Sequence, residues 1–181
     1  MKLKNETLSK NFLIYGFGKS GISSLKYLKK KNRCFIFDDD KKKIKNKYKK
    51  FFISKSKLLN NNFDYIVISP GININRCQLS NYLKKNQKKV ITDFDIFYKF
   101  NPEVLTITIT GTNGKSTTSK LLYDILKNHH YDTRLTGNIG NPILEEKRIT
   151  KNTIFVIEAS SYQLAYSCLL YTSPSPRDRL K

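Results

Sequence analysis

The stretch Val104-Leu105-Thr106-Ile107-Thr108-Ile109 runs directly into Thr110-Gly111-Thr112-Asn113-Gly114-Lys115-Ser116-Thr117. Alternation of β-branched residues over the first six positions predicts a strand, and the glycines after it predict a tight loop. Such a loop can turn successive backbone N–H groups onto a phosphate. Lys115 would then face the β- and γ-phosphates, and the Ser116 hydroxyl would be available to Mg²⁺. A helix over 115–128 follows, and its positive dipole end faces the same anion. The usual phosphate loop has another glycine five residues before Gly114's counterpart, where this chain has Ile109, so the motif is a shortened variant. Gly-Lys-Ser also arises by chance in lysine-rich loops. The strand before it and the spacing of Leu121, Leu122, Ile125 and Leu126 after it argue for a nucleotide triphosphate loop.

Towards the N-terminus, strand and helix patterns alternate. Strands are expected at 11–15, 34–37, 63–68 and 90–91, and helices at 21–30, 78–85 and 93–100. Alternation of this kind implies a parallel sheet covered on both faces. Gly16-Phe17-Gly18-Lys19-Ser20-Gly21 joins the first strand to the first helix, and the run Asp38-Asp39-Asp40 begins 17 residues after Gly21. This is the dinucleotide-binding arrangement. The same glycines can equally serve only a tight turn, and the aspartates only a strand end. In either case a ligand would lie across the carboxyl ends of the strands, near residues 16–21, Asp38 and Ser69-Pro70-Gly71.

Asn101-Pro102 marks a boundary. The expected fold class is α/β: a Rossmann-like parallel-sheet N-terminal domain over 1–101, followed by a truncated P-loop-type α/β ATP-binding domain over 102–168. Two nucleotide-type loops in successive units suggest one for a nucleotide-containing substrate and one for ATP. Further along, Thr136-Gly137-Asn138-Ile139-Gly140-Asn141-Pro142 is a polar glycine loop after a strand at 133–135. The apolar run at 153–157 delivers Glu158 at a strand end beside the phosphate loop, where a carboxylate can ligate Mg²⁺ or merely cap the next helix.

Composition narrows the function classes. The 181 residues are 39% hydrophobic, enough for a core, and no stretch is long enough to span a membrane. Cys34, Cys77 and Cys168 lack metal-ligand or disulfide spacing, so free thiols in a cytoplasmic protein are expected. The net charge of +20 would ordinarily suggest nucleic-acid binding. Only six of the 34 basic residues are Arg. No arginine forks or aromatic platforms accompany the lysine runs, which read as a solvated surface with no specific nucleic acid.

Taken together, Gly16-Phe17-Gly18-Lys19-Ser20-Gly21, Ser69-Pro70-Gly71-Ile72, Asp93-Phe94-Asp95-Ile96-Phe97, Gly111-Thr112-Asn113-Gly114-Lys115-Ser116-Thr117, Gly137-Asn138-Ile139-Gly140-Asn141-Pro142 and Glu158-Ala159-Ser160-Ser161-Tyr162-Gln163-Leu164 resemble the amino-terminal part of the Mur ligases, in their D-glutamate-adding branch. The resemblance covers about 8–167 and implies ATP-dependent amide formation in peptidoglycan assembly. UDP-N-acetylmuramoyl-L-alanine would be activated as an acyl phosphate and joined to D-glutamate. It implies that Gly111, Thr112, Asn113, Gly114, Lys115, Ser116 and Thr117 hold ATP, that Ser116 and Glu158 ligate Mg²⁺, and that Lys115 and Asn138 serve the chemistry. Asn138 would lie near the alanyl carboxylate, while Lys19, Ser20, Asp38, Asp39, Ser69, Pro70 and Gly71 would cradle the uridine diphosphate. The full-length form is expected to be monomeric.

Family members continue well past Gln163, through a Mg²⁺-binding histidine, a carbamylated lysine and a third domain that binds D-glutamate. The chain is therefore expected to be an inactive fragment. Residues 169–181 carry two prolines and two arginines in a style foreign to the rest, and are expected to form a non-native, disordered tail. Two other readings remain at the level of sequence. One is a nicotinamide-dependent oxidoreductase using residues 16–21 and Asp38, which leaves the loop at 111–117 unexplained; the other is a basic nucleic-acid-binding protein.

Overall fold

Every strand pairing between the elements described below is parallel. The computed structural model describes residues 9–40, 42 and 44–167. The expected tail at 169–181 lies outside the described residues, as does Cys168.

β1 (Asn11–Tyr15), β2 (Arg33–Phe37), β3 (Tyr65–Ile68) and β4 (Val90–Ile91) form a sheet in the order β2-β1-β3-β4. The chain leaves β1 for one neighbour and returns to the other side for β3, creating a switch point at the carboxyl ends of β1 and β3. Alternate residues of each strand feed opposite faces. Leu13, Tyr15, Ile66 and Ile68 pack under α2 (Lys55–Leu59) and α3 (Ser80–Lys85), with Leu58 and Leu83. Phe12, Ile14 and Val67 pack on the other face with Leu25 and Leu28 of α1 (Lys19–Leu28) and Ile96 of α4 (Asp93–Phe100).

β5 (Leu105–Ile109), β6 (Thr133–Gly137) and β7 (Ile154–Glu158) form a second sheet in the order β5-β7-β6. α5 (Lys115–Asn128) covers one face, and α6 (Ser161–Tyr166) follows β7. The opposite face is covered from outside the unit. Phe94 and Phe97 of α4 pack with Phe155, Ile157, Ala159 and Ile143. α4 thus has Ile96 in the first core and two phenylalanines in the second, and a capping box between Thr92 and Asp95 fixes where it starts. A Lys26–Glu145 contact of 2.7 Å adds a surface link between the units.

Two differences from the sequence-based expectation are informative. α1 begins at Lys19 instead of residue 21, because Gly18 serves as the N-cap and puts Lys19 and Ser20 into the first turn. A Cβ on Gly21 would lie 2.1 Å from the Gly16 carbonyl oxygen, so this glycine is required for close helix–strand packing. The apolar spacing Leu121, Leu122, Ile125 and Leu126 of α5 does not make a sealed face, since Leu121 and Ile125 are 59% and 47% exposed. The helix packs more on β6 and β7 than on β5.

Candidate functional site

The first sheet ends in three loops held together by internal polar contacts. The Ser69 hydroxyl donates to the Gly16 carbonyl at 2.6 Å, and the Ser69 N–H donates to Tyr15 O at 2.9 Å. Asp38 accepts from Phe17 N–H at 2.6 Å through one carboxylate oxygen and from Asp40 N–H at 2.8 Å through the other. Its carboxylate therefore organises the glycine loop from within. Asp39 is exposed, steadied by the buried Tyr15 phenol, which donates to it at 2.7 Å. Burial, reinforced by that hydrogen bond, holds the Tyr15 phenol far above its ordinary titration range.

α1 starts with no side-chain cap, and its first hydrogen-bonded amide is Ile22 to Gly18 O at 3.0 Å. The N–H groups of Lys19, Ser20 and Gly21 precede that bond, the arrangement from which helix N-termini bind anions. Ser20 itself donates to Asp93 at 2.9 Å, joining the glycine loop to the first turn of α4.

In the second sheet, parallel pairing aligns Ile109 with Glu158 on one side and Gly137 with Glu158 on the other. Glu158 thus stands at the carboxyl edge between the loop at 110–114 and the loop at 137–140. Asn138 N–H donates to the Glu158 carbonyl at 3.0 Å, and Ala159 N–H donates to Ile109 O at 3.0 Å. Gly137 has φ +106, and a Cβ there would fall 2.1 Å from the Glu158 carbonyl oxygen, so only glycine lets the two strands close at this point. The Glu158 side chain is buried, and its Oε2 has no hydrogen-bond partner among the described residues. A buried, orphaned carboxylate oxygen suits a cation or a donor brought by a ligand.

The loop at 110–114 is exposed, as are Ser116 and Thr117 at the start of α5. Lys115 folds back across its own loop, its ammonium donating to the Gly111 carbonyl at 2.7 Å and the Thr112 carbonyl at 3.2 Å. Among the described residues no group of three or more His, Cys, Asp or Glu side chains converges. A cation near Glu158 would draw on that carboxylate, the Ser116 hydroxyl, phosphate oxygens and water.

Between the two sheets lies a cleft of about 670 Å³. The structure brings Lys19, Ser20, Asp38, Asp39, Ser69, Pro70 and Gly71 together there with Asn138 from the second unit. Gly111, Thr112, Asn113, Gly114, Lys115, Ser116, Thr117 and Glu158 are not in its lining; they belong to the β5 and β7 ends of the second sheet. Sequence reasoning missed Asp93 and Tyr15 as supports of this cleft. Asp93 follows Thr92 as an ordinary first-turn acid, and nothing in its spacing announces a partner at Ser20.

Residues 109–173 match the Mur ligase middle domain. A UDP-N-acetylmuramoylalanine–D-glutamate ligase of Rickettsia bellii is 34% identical, in an alignment covering 85% of this chain and 34% of the relative. This chain belongs to the Mur ligase family. The like-named ligase of Caldicellulosiruptor saccharolyticus is 32% identical over 96% of this chain and 43% of its own length. The chain thus spans between a third and a half of the length of these relatives. A solved UDP-N-acetylmuramate:L-alanyl-gamma-D-glutamyl-meso-diaminopimelate ligase from Neisseria meningitides aligns with TM-score 0.46 at 12% identity, covering 86% of this chain and 55% of that one. Among the described residues no helix is long and apolar enough to cross a membrane.

Proposed function

We propose that this Mur ligase chain carries the uridine-nucleotide-binding unit (1–101) and part of the ATP-binding unit (102–168) of a ligase that joins D-glutamate to UDP-N-acetylmuramoyl-L-alanine. The full-length protein would act as a cytoplasmic monomer. The observation that carries the reading is the shared cleft: first-sheet loops suited to a diphosphate face Asn138, one residue beyond the strand pair that holds Glu158. A sugar nucleotide laid across the first unit would bring its far end to the edge of the second sheet.

The reaction would begin when an oxygen of the alanyl carboxylate forms a bond to the γ-phosphorus as ADP leaves. The nitrogen of D-glutamate would then bond to the activated carbonyl carbon, and inorganic phosphate would leave as the amine loses a proton. Activation is required because a carboxylate is a poor electrophile, whereas the acyl phosphate carries a good leaving group. Residues 111–117 would cradle ATP through backbone N–H groups, and Lys115 would exchange its two loop carbonyls for phosphate oxygens. Asn138 would orient the alanyl carboxylate. Lys19 and Ser20, with Asp38, Asp39, Ser69, Pro70 and Gly71, would cradle the uridine diphosphate. Ser116 and the orphaned Glu158 oxygen would hold Mg²⁺, which neutralises charge where two anions meet.

An oxidoreductase reading finds less support, since both oxygens of the Asp38 carboxylate already accept backbone N–H groups. Calorimetric titration of the purified chain with UDP-N-acetylmuramoyl-L-alanine, NAD⁺ and Mg-ATP tests the choice. Saturable binding of the muramoyl nucleotide, with no NAD⁺ binding, is expected. NAD⁺ binding by folded chain that ignores the muramoyl nucleotide would overturn the reading.

A further inference from the structure

We propose that Asp93 is a positioning residue for the ligand cleft: by accepting the Ser20 hydroxyl proton, it fixes the first turn of α1 and presents the Ser20 oxygen to the ligand as a hydrogen-bond acceptor. This rests on the reading of the cleft as a uridine-nucleotide site. Ser20 lines the cleft, whereas Asp93 is 4% exposed, lies beneath it and is absent from its lining. Besides the Ser20 hydroxyl at 2.9 Å, its carboxylate accepts from the Phe94 N–H of its own helix at 3.2 Å. Among the described residues no basic side chain pairs with it, and its charged neighbour on the helix is another acid, Asp95.

A buried carboxylate without a cation is expensive, and burial pushes this one up to about 6 against the relief given by Ser20. A serine hydroxyl has one proton to donate. Once that proton points at Asp93, the oxygen offers the cleft lone pairs only. Anion contacts then fall to the N–H groups of the first turn of α1 and to Lys19. Ser20 Oγ complements a donor on the ligand instead, such as a hydroxyl or an imide N–H of a nucleoside. Because α4 also carries Phe94 and Phe97 in the core of the second sheet, the same contact registers the glycine loop against the second unit.

The test uses the 181-residue chain, UDP as the probe, and the variants Ser20→Ala, Asp93→Asn, Asp93→Ala and the Ser20→Ala/Asp93→Ala double. Each alanine variant should weaken UDP binding about tenfold and the double no further, because both remove one shared interaction. Asp93→Asn, which keeps an acceptor oxygen, should stay within about threefold of the parent, less than the value of a full hydrogen bond. Thermal melts on the same samples separate binding from folding. If Asp93→Ala does not fold, the contrast of Ser20→Ala with Asp93→Asn carries the same test. Losses that add, or a loss at Asp93→Ala with none at Ser20→Ala, would overturn the proposal.

A ligand-free readout separates this from the functional reading. The Ser20 backbone amide resonance should follow the titration of Asp93 and cease to do so in Asp93→Asn. A resonance that titrates in a chain that ignores UDP would overturn the uridine-nucleotide reading and with it the ligand-facing role. Tight UDP binding with a Ser20 amide indifferent to Asp93 would overturn the Asp93 link alone.

Discussion

The two sheets share a parallel plan and differ in how they hold their ligand loops. In the first, Leu13, Ile14 and Ile66 are fully buried in the central strands, and both faces are covered. In the second, β7 is buried at all five positions, while edge strand β5 has none buried and Leu105 is 56% exposed. The loops follow suit. The cleft side of the first unit is tied by Asp38 to Phe17 and by Ser69 to Gly16, contacts made within the unit itself. The loop at 110–114 is exposed, and its lysine is engaged with its own carbonyls. A preorganised loop gives most of its contact energy to affinity, whereas a loop that must exchange internal contacts returns part of it on binding. On the proposed reading, the first-unit cleft would then favour recognition, and the loop at 110–114 would have to exchange its internal contacts on binding.

The largest effect that would break this comparison is expected from Phe155→Ala. The ring is fully buried and lies 4.7 Å from that of Phe97, so its removal should cost about 3–5 kcal/mol. If the second sheet is the weaker unit, amide hydrogen exchange should accelerate at β5, β6 and β7 while Leu13 and Ile14 stay protected. Equal loss of protection in both sheets would mean that α4, which contributes to both cores, makes them one cooperative body.

A smaller effect of opposite sign is expected at Asp93. Its ordinary value of 3.8 is raised to about 6 in the fold, so the folded chain keeps a proton that the unfolded chain releases. Stability from this group is fully present below the unfolded value and is lost as pH rises through about 6. Asp93→Asn should therefore stabilise the chain at neutral pH, by on the order of 2–3 kcal/mol, and flatten its stability between about pH 4 and 6. Urea denaturation across that range checks both; a variant with the parent's slope would assign the slope to other groups. Next in size, Gly137→Ala should destabilise by about 1–3 kcal/mol through positive φ and the approach to the Glu158 carbonyl. Its effect should appear as faster exchange at Asn138 and Ala159, with the first-unit loops unchanged.

Legibility in the sequence followed pattern length. β1, α4 and α5 fall where periodicity and punctuation put them, because each joins a clear apolar repeat to a glycine, an N-cap or a proline. α2 and the 3₁₀ turn at 46–51 were missed, since each is about a turn or two long and buries a single residue, Leu58 or Tyr48. Loop motifs placed the turns at 110–114 and 137–142, which depend on consecutive residues. The Ser20–Asp93 contact spans 73 positions and was invisible, because only the folded sheet puts the start of α4 under the start of α1. Asp38 carried an ambiguity that sequence could not resolve: an acid at that strand end suits a ribose or a backbone amide, and here its oxygens meet amides.

The smallest predicted effect is the sharpest test of how the second unit uses its helix. Periodicity marks Leu121 as a core position, on a par with Leu25 of α1, yet Leu121 is 59% exposed and Leu25 fully buried. Leu25→Ala should cost about 2–5 kcal/mol by opening a cavity in the first core. Leu121→Gln should stay within about 0.5 kcal/mol, because it exchanges one exposed side chain for another of similar helix propensity. The same change shortens the apolar strip formed by Leu121 and Ile125, so light scattering at high protein concentration should show less self-association. A Leu121→Gln chain that melts several degrees lower would mean that α5 packs more deeply on β5 than the structure has it. The contrast between a sealed first unit and an open second one would then rest on β5 alone.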